Sequence, residues 1–280
     1  MKRILLIHDW CSVGKVAAPL MVPVLSVLEV EAVVVPTMLL STHTGGFQQN
    51  VMHTVEVMPD ILQHIQQLPL SFDGIVTGYF GSIQQLQAFL KQSLQGFMIV
   101  DPVMADRGQL YRGFNQEYVD TMKQLASKAT VILPNLTEAC LLTDTRYHEQ
   151  WTKKEIDELA KKLHQLGIEI VILTGVSFNE KEIGFYVSQK TGEASYIAHK
   201  KIKGHFFGTG DFVTAMVSAG IVAGYTVEKV LQFAANCVSD VLEKTIEAGN
   251  PVQYGLAVEQ TLPQLMKRWQ QLRKECEQYE

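Results

Sequence analysis

The sequence predicts an α/β protein with a central, mostly parallel sheet and helices on both faces. Short β-rich runs alternate along the chain with amphipathic segments of helical period, the pattern left by repeated strand-helix-strand units. One of those runs, Ile168 to Thr174, is almost wholly apolar, as a strand covered on both faces must be. With 280 residues, 47% of them hydrophobic, the chain can bury a sizeable core. It has no low-complexity linker, internal repeat or break in composition, so residues 1–280 read as a single domain.

The elements follow in order. Met1-Lys2-Arg3 precedes only four apolar residues, Ile4 to Ile7, before His8-Asp9. That run is too short for a signal-peptide core and reads as the first strand. Further strands are expected at Glu31 to Pro36, Gly74 to Thr77, Phe97 to Val100, Thr130 to Leu133 and Glu169 to Thr174, with amphipathic helices over Ser82 to Leu94 and Asn115 to Ala126. The best-defined helix is Thr152 to Gly167. Thr152 and Glu155 have the spacing of a capping box, Ile156, Leu159, Ala160 and Leu163 share one face, and Gly167 supplies the stop. Runs at Gly184 to Val187 and Glu193 to Ile197 flank Lys190-Thr191-Gly192, a hairpin pattern. An apolar helix, Phe212 to Gly224, follows Gly208-Thr209-Gly210-Asp211, and Met216 to Ile221 within it reads as core. Helices Thr226 to Ala248 and Leu262 to Tyr279 finish the chain.

Charge and motif content exclude several functions. A formal net charge of −5 with pI near 5.9 speaks against a nucleic-acid surface, which needs clustered Lys and Arg. No stretch approaches the roughly 18 apolar residues of a membrane span. The four cysteines are scattered without a C-x-x-C pair, which fits a reducing, cytoplasmic setting. Cys140 and Cys237 read as small core residues, Cys276 belongs to the charged last helix, and Cys11 follows the first strand without an evident base. The eight histidines include no H-E-x-x-H, so zinc is not expected. A Walker loop is missing, since Asp9 stands where that motif before Gly14-Lys15 needs its first glycine, and no G-x-G-x-x-G follows the first strand.

In open α/β sheets, ligands bind beyond the carboxyl ends of the strands. The polar residues there are His8-Asp9, Ser41-Thr42-His43-Thr44-Gly45-Gly46, Gly78-Tyr79-Phe80-Gly81, Asp101-Pro102-Val103, Pro134-Asn135 with Glu138, and Thr174-Gly175. The Gly208 to Asp211 turn adds a helix start, whose free amides and dipole suit phosphate oxygens. Asp211 beside them could accept a proton from an attacking hydroxyl. Read alone, Asp211 could equally be a helix cap. Asp101 could merely end its strand, and Glu138 could be an acid favoured by a helix dipole. As a set, these residues offer an anion cradle with carboxylates able to hold magnesium.

Five motifs occur in one order: Ser41-Thr42-His43-Thr44-Gly45, Gly78-Tyr79-Phe80-Gly81-Ser82, Asp101-Pro102-Val103-Met104-Ala105-Asp106, Pro134-Asn135-Leu136-Thr137-Glu138 and Gly208-Thr209-Gly210-Asp211. In this the chain resembles the pyridoxal kinases of the ribokinase-like superfamily, from the first strand to the helix after Asp211. The resemblance implies a ribokinase-like fold and ATP-dependent phosphorylation of the 5′-hydroxymethyl group of a vitamin B6 vitamer. It implies that Asp211 is the base and that the amides of Gly208, Thr209 and Gly210 form the anion hole. Asp101 and Glu138 would hold Mg2+, directly or through water, with Asn135 orienting that shell. Thr174 would contact the nucleotide, and Gly175 stands where many relatives have a second hydroxyl residue. Asp9, Ser12, His43, Thr44 and Tyr79 match positions around the pyridine, while Asp106 and Arg107 match a loop over the nucleotide. A monovalent cation such as K+ and a homodimer are further expectations of the family.

Two departures bear on the substrate. Asp9 replaces the serine of some pyridoxal kinases and matches the hydroxymethylpyrimidine kinases of the same superfamily. Asp211 stands where those pyrimidine kinases usually have cysteine, which favours a B6 vitamer. A non-catalytic sensor of a pyridine or nucleotide is a third reading, and it has no need of a base beside the anion hole.

Overall fold

The computed structural model describes residues 1–94 and 96–277. Its first half runs β1 (Lys2–Val13), α1 (Ala17–Val27), β2 (Val30–Thr42), β3 (Met52–Thr54), α2 (Met58–Gln67), β4 (Gly74–Thr77), α3 (Ile83–Leu90), β5 (Met98–Val100), the small hairpin β6 (Ala105–Asp106) and β7 (Gln109–Leu110), and α4 (Gln116–Ala126). Then come β8 (Val131–Ile132), α5 (Leu136–Leu142), α6 (Lys153–Gln165), β9 (Ile170–Val176), β10 (Glu182–Gln189), β11 (Ser195–Lys200), α7 (Thr209–Val222), α8 (Val227–Ala248), a 3-10 turn at Val252–Tyr254 and α9 (Val258–Glu277). Among the described residues the main sheet has nine strands in the order β11-β10-β9-β8-β5-β4-β1-β2-β3. The pairs from β9 to β2 are parallel; β10, β11 and β3 are antiparallel additions at the two edges. The predicted α/β sheet is thus present, and β10 and β11 form the predicted hairpin.

Alternation along the strands feeds two cores. Ile4, Leu6, Val76 and Ile99 pack against α1, α7, α8 and α9 on one face, whereas Leu5, Ile7, Ile75 and Val100 pack against α2 to α6 on the other. Each strand residue changes face with its neighbour, and that settles which strand-end side chains meet α7.

Three differences from the sequence pattern matter for function. First, β1 and β2 run well past Ile7 and Pro36, pairing from Trp10↔Leu39 to Val13↔Thr42. Polar Asp9, Ser12 and Thr37 interrupt the apolar pattern there; Thr37 is buried with its hydroxyl donated to Tyr79 O and its carbonyl accepting the Gln85 side chain of α3. His8, Asp9, Ser12, Ser41 and Thr42, and also Cys11, therefore lie within strands rather than after them, as Thr174 and Gly175 do within β9. The register slips between His8 and Trp10, β2 carrying one residue more than β1, a bulge of the kind that re-aims side chains near sites. Second, α1 forms despite Pro19 and Pro23. Pro19 lies in the first turn, where its missing amide has no helical partner to lose, and burial of Leu20, Met21, Val24 and Leu25 outweighs the one bond broken at Pro23. Third, α7 starts at Thr209 rather than Phe212, so Thr209, Gly210 and Asp211 form its first turn, with Gly208 as N-cap. The last helix begins at Val258, ahead of the predicted Leu262, and its predicted end at Tyr279 lies outside the described residues.

Candidate active site

His8 stands at the centre of the site. Two residues beyond Leu6, its side chain leaves β1 on the α7 side of the sheet, and its ring is buried. Nε2 lies 3.2 Å from Oδ1 of Asp211 and Nδ1 lies 2.7 Å from Oδ1 of Asp9. The second Asp211 oxygen, Oδ2, accepts the Ala17 amide at 2.7 Å, from a residue 194 positions away in the chain. Burial alone would lower the His8 pKa, but hydrogen bonds to Asp211 and Asp9 and their charges outweigh it and push it up to about 10. Gly78 makes room for the ring, since a Cβ there would lie 2.1 Å from Nε2.

The anion cradle is built by Gly208. Its φ of 87° is left-handed, and a Cβ would fall 2.2 Å from the Lys15 carbonyl. Only glycine fits both constraints. At Gly210 a Cβ would meet nothing within 4 Å, so the first turn of α7 faces open space. Its amides have no carbonyl a turn earlier in the helix to bond. Thr209 steadies the entry by donating its hydroxyl to Phe206 O at 3.1 Å.

On the β5 and β8 side, the predicted acids come together. Asp101 leaves β5 toward α7, where Oδ2 accepts the Thr214 hydroxyl at 2.7 Å, one turn after Asp211. Asn135 and Glu138 form a reciprocal capping box on α5. Glu138 Oε2 accepts the Asn135 amide at 2.9 Å and Oε1 the Met104 amide at 3.1 Å, while Asn135 Nδ2 donates to Ala105 O at 2.8 Å. The cap thereby ties α5 to the segment after Asp101. Burial, and then the charge of Asp101, raises the pKa of Glu138; burial and the Asp211 charge raise that of Asp101, against the Thr214 hydrogen bond. Two buried acids that resist ionising together suit a divalent cation, which would relieve both. Each Glu138 oxygen already accepts a backbone amide, so contact through a water fits its surroundings best. Among the described residues no group of three or more His, Cys, Asp or Glu forms a metal cage, and a hard cation sharing ligands with phosphate needs none.

Other predicted residues divide into two groups. Thr174 is joined to Asn135 by a β-bridge, and both its amide and its hydroxyl point to Pro134 O, at 2.9 and 3.4 Å. Gly175 has φ of 70° with open space around it; a side chain there meets a backbone obstacle rather than a steric one. Near the projecting ends of β1 and β2, Tyr79 and Phe207 pack on Cys11, Val16, Ala17, Met38 and Leu40. This small apolar cluster lies beside Asp9: burial and the Asp9 charge push Tyr79 up to about 12 and Cys11 up to about 11. His43 is buried against Phe207 and Phe47. Its Nε2 lies 2.6 Å from Gln253 O, and Nδ1 accepts the Gly45 amide at 3.2 Å. Both nitrogens are engaged, so His43 offers a ligand its ring rather than a hydrogen bond. Ser12 and Thr44 are exposed at the rim. Arg107, at the tip of the β6–β7 hairpin, reaches His205 Nδ1 at 2.7 Å, three residues before Gly208.

In the sequence His8 is a rim residue without a role, and nothing marks Ala17, Thr214 or Tyr111. Tyr111 feels the charges of Glu138, Asp106, Asp101 and Asp211, and burial with those charges raises its pKa. A histidine before an aspartate at a strand end is visible in a sequence; its meeting with Asp211 is not.

A family model described as phosphomethylpyrimidine kinase matches residues 22–254. The chain belongs to that family. It is similar to the pyridoxal kinase of Lactobacillus plantarum, at 30% identity and a TM-score of 0.88, covering 95% of this chain and 97% of that one. A Bacteroides thetaiotaomicron protein, provisionally described as a phosphomethylpyrimidine kinase and solved with pyridoxal, matches at 30% identity and a TM-score of 0.88, over 94% of this chain and 95% of that one. A pyridoxal kinase of Arabidopsis thaliana is 27% identical over 229 residues, 74% of this chain and 70% of that protein. The fold is that of the ribokinase-like kinases. Among the described residues of this kinase no helix is long and apolar enough to cross a membrane.

Proposed function

We propose that the chain transfers the γ-phosphoryl group of ATP to the 5′-hydroxymethyl group of a vitamin B6 vitamer: pyridoxal, pyridoxine or pyridoxamine. The observation that carries this reading is the Asp211 carboxylate on the first turn of α7, beside the Gly208 cradle and linked through His8 to Asp9, next to the small apolar cluster that Tyr79 and Phe207 cover. The alcohol oxygen forms a bond to the γ-phosphorus as the bond from phosphorus to the ADP oxygen breaks, and the alcohol proton passes to Asp211. The amides of Gly208, Thr209 and Gly210 hold the oxygens of the moving phosphoryl group, whose charge spreads over them in a loose transition state. Orienting the hydroxyl therefore matters more than removing its proton early. Asp101 and Glu138 would hold Mg2+, and Asn135 fixes Glu138 for that task. Such an ion would supply neutralisation of the phosphate charge. Thr174 and Gly175 lie at the nucleotide end. Tyr79 offers the pyridine an apolar face, His43 closes the pocket, and Asp9, Ser12 and Thr44 are the polar groups placed for ring substituents. The reading extends to residues 1–280 acting as one unit, in a cytoplasmic homodimer, with K+ as a candidate second cation.

Asp9 and the description of the family model favour a pyrimidine alcohol as the rival acceptor. Asp211 in place of the cysteine expected there, and the likeness to pyridoxal-handling proteins, favour the vitamer. Purified protein with ATP and Mg2+ should phosphorylate at least one of the three vitamers with a higher kcat/KM than hydroxymethylpyrimidine. No phosphorylated product from any vitamer would refute the reading, and a better pyrimidine substrate would replace it.

A further inference from the structure

The His8 ring is placed between two carboxylates that come from different ends of the chain, and this inference about it rests on the reading of Asp211 as the base. Asp211 belongs to the first turn of α7, yet what holds its carboxylate comes from elsewhere: the His8 ring from β1 on Oδ1 and the Ala17 amide from the start of α1 on Oδ2. Ala17 itself sits at φ of 55°, unusual for a residue with a side chain. Two donors on two elements leave that carboxylate one orientation. On its other side the ring meets Asp9 at 2.7 Å. The Asp9 amide is aimed at Nδ1 as at an acceptor, at 3.0 Å, but the shorter contact is with Oδ1 of Asp9, at 2.7 Å, against which an unprotonated Nδ1 would set its lone pair. A ring with protons on both nitrogens donates to both acids at once. Nothing about packing alone calls for this arrangement, since a leucine would fill the same buried space without placing a cation there.

We propose that His8 is a positioning residue for phosphoryl transfer, donating through Nε2 to Asp211 to aim the base at the acceptor hydroxyl and through Nδ1 to Asp9, so that base and substrate pocket are held in one register. It keeps both its protons throughout; the alcohol proton goes to Asp211. The charged groups facing the ring are Asp9 from its own strand, Asp211 from α7 and Asp101 from the end of β5. Its elevated pKa agrees with a ring that stays charged at neutral pH.

The two side-chain amides separate its contacts, because glutamine places a donor near the Nε2 position and asparagine near the Nδ1 position. His8→Ala should lower kcat about 10²-fold, the scale of a base misplaced by about 1 Å, with KM for ATP changed less than about threefold. His8→Gln, which keeps the bond to Asp211, should recover about tenfold or more of that loss, and His8→Asn should not. In an Asp211→Asn background His8→Ala should have almost no further effect, as for residues that act as a unit. Equal kcat for the Gln and Asn variants, or a His8→Ala effect undiminished by Asp211→Asn, would overturn the proposal. Assays use whichever alcohol the wild-type protein phosphorylates, so failure of the vitamer reading appears separately, in the wild-type substrate comparison. A nitrogen-15 spectrum of the imidazole reads the geometry without turnover, and serves if a variant fails to fold. Both nitrogens should carry protons at pH 7, and Asp211→Asn should move the Nε2 resonance more than that of Nδ1. An unprotonated Nε2 at pH 7 would overturn the proposal just as surely.

Discussion

At the scale of single residues, the two glycines of the cradle have opposite duties. Gly208 is required by the backbone: its left-handed φ would cost another residue about 1 to 2 kcal/mol, and its Cβ would strike the Lys15 carbonyl. Gly208→Ala should therefore lower the melting temperature and turnover together, measured by thermal unfolding beside the kinase assay. Gly210 is a helix residue with open space in front of it. Alanine there should preserve or raise stability, by up to about 1 kcal/mol, yet raise KM for ATP, because its methyl projects into the space kept for phosphate. Asp211→Asn should keep the fold and cut kcat by about 10² to 10⁴, the usual contribution of a positioned base.

At the scale of elements, the α5 cap has a structural and a proposed chemical task. Asn135→Ala removes the side-chain half of the capping box, the bond from the Glu138 amide, at about 1 kcal/mol, together with the tie to Ala105 O, and so loosens the segment whose amides hold the Glu138 carboxylate. Thermal unfolding should register the first effect; a rise in the Mg2+ concentration needed for half-maximal turnover should register the second. From the sequence Glu138 reads as an acid favoured by a helix dipole, not as half of a cap with Asn135, whereas β4 and α6 were legible because their signals are local. The beginning of α1 was not, since Pro19 and Pro23 read as breakers until burial against α7 is known. The ends of β1 and β2 were hidden for a related reason: Asp9, Ser12 and Thr37 are polar where strands beneath helices are apolar. The acids of the site could be picked out by their place after strands, but their partners, Thr214 and the amides of Ala17 and Met104, belong to other elements and carry no mark in the sequence.

For the whole molecule, the buried ring of His8 makes stability depend on pH. Its folded pKa, about 10, lies above the ordinary value of 6.5, so in that window the folded state binds more protons than the unfolded. This contribution is fully present below about pH 6.5 and is lost as pH rises through about 10. Denaturant midpoints should fall over that range, and His8→Gln should flatten the decline.

The Lys15 carbonyl lies where a Cβ on either Gly208 or Gly255 would strike it, 2.2 and 2.6 Å away, while the Lys15 amide donates to Tyr254 O. The loop after β1, the phosphate cradle and the segment before α9 thus share a single hinge pin, and the same segment holds His43 through Gln253. Pocket width and cradle position are consequently one mechanical variable. Changes at 251–255 made to admit a bulkier ring should alter the rate of transfer as well as the choice of acceptor, and variants that broaden substrate range without slowing turnover should arise elsewhere, at exposed rim positions such as Ser12 and Thr44.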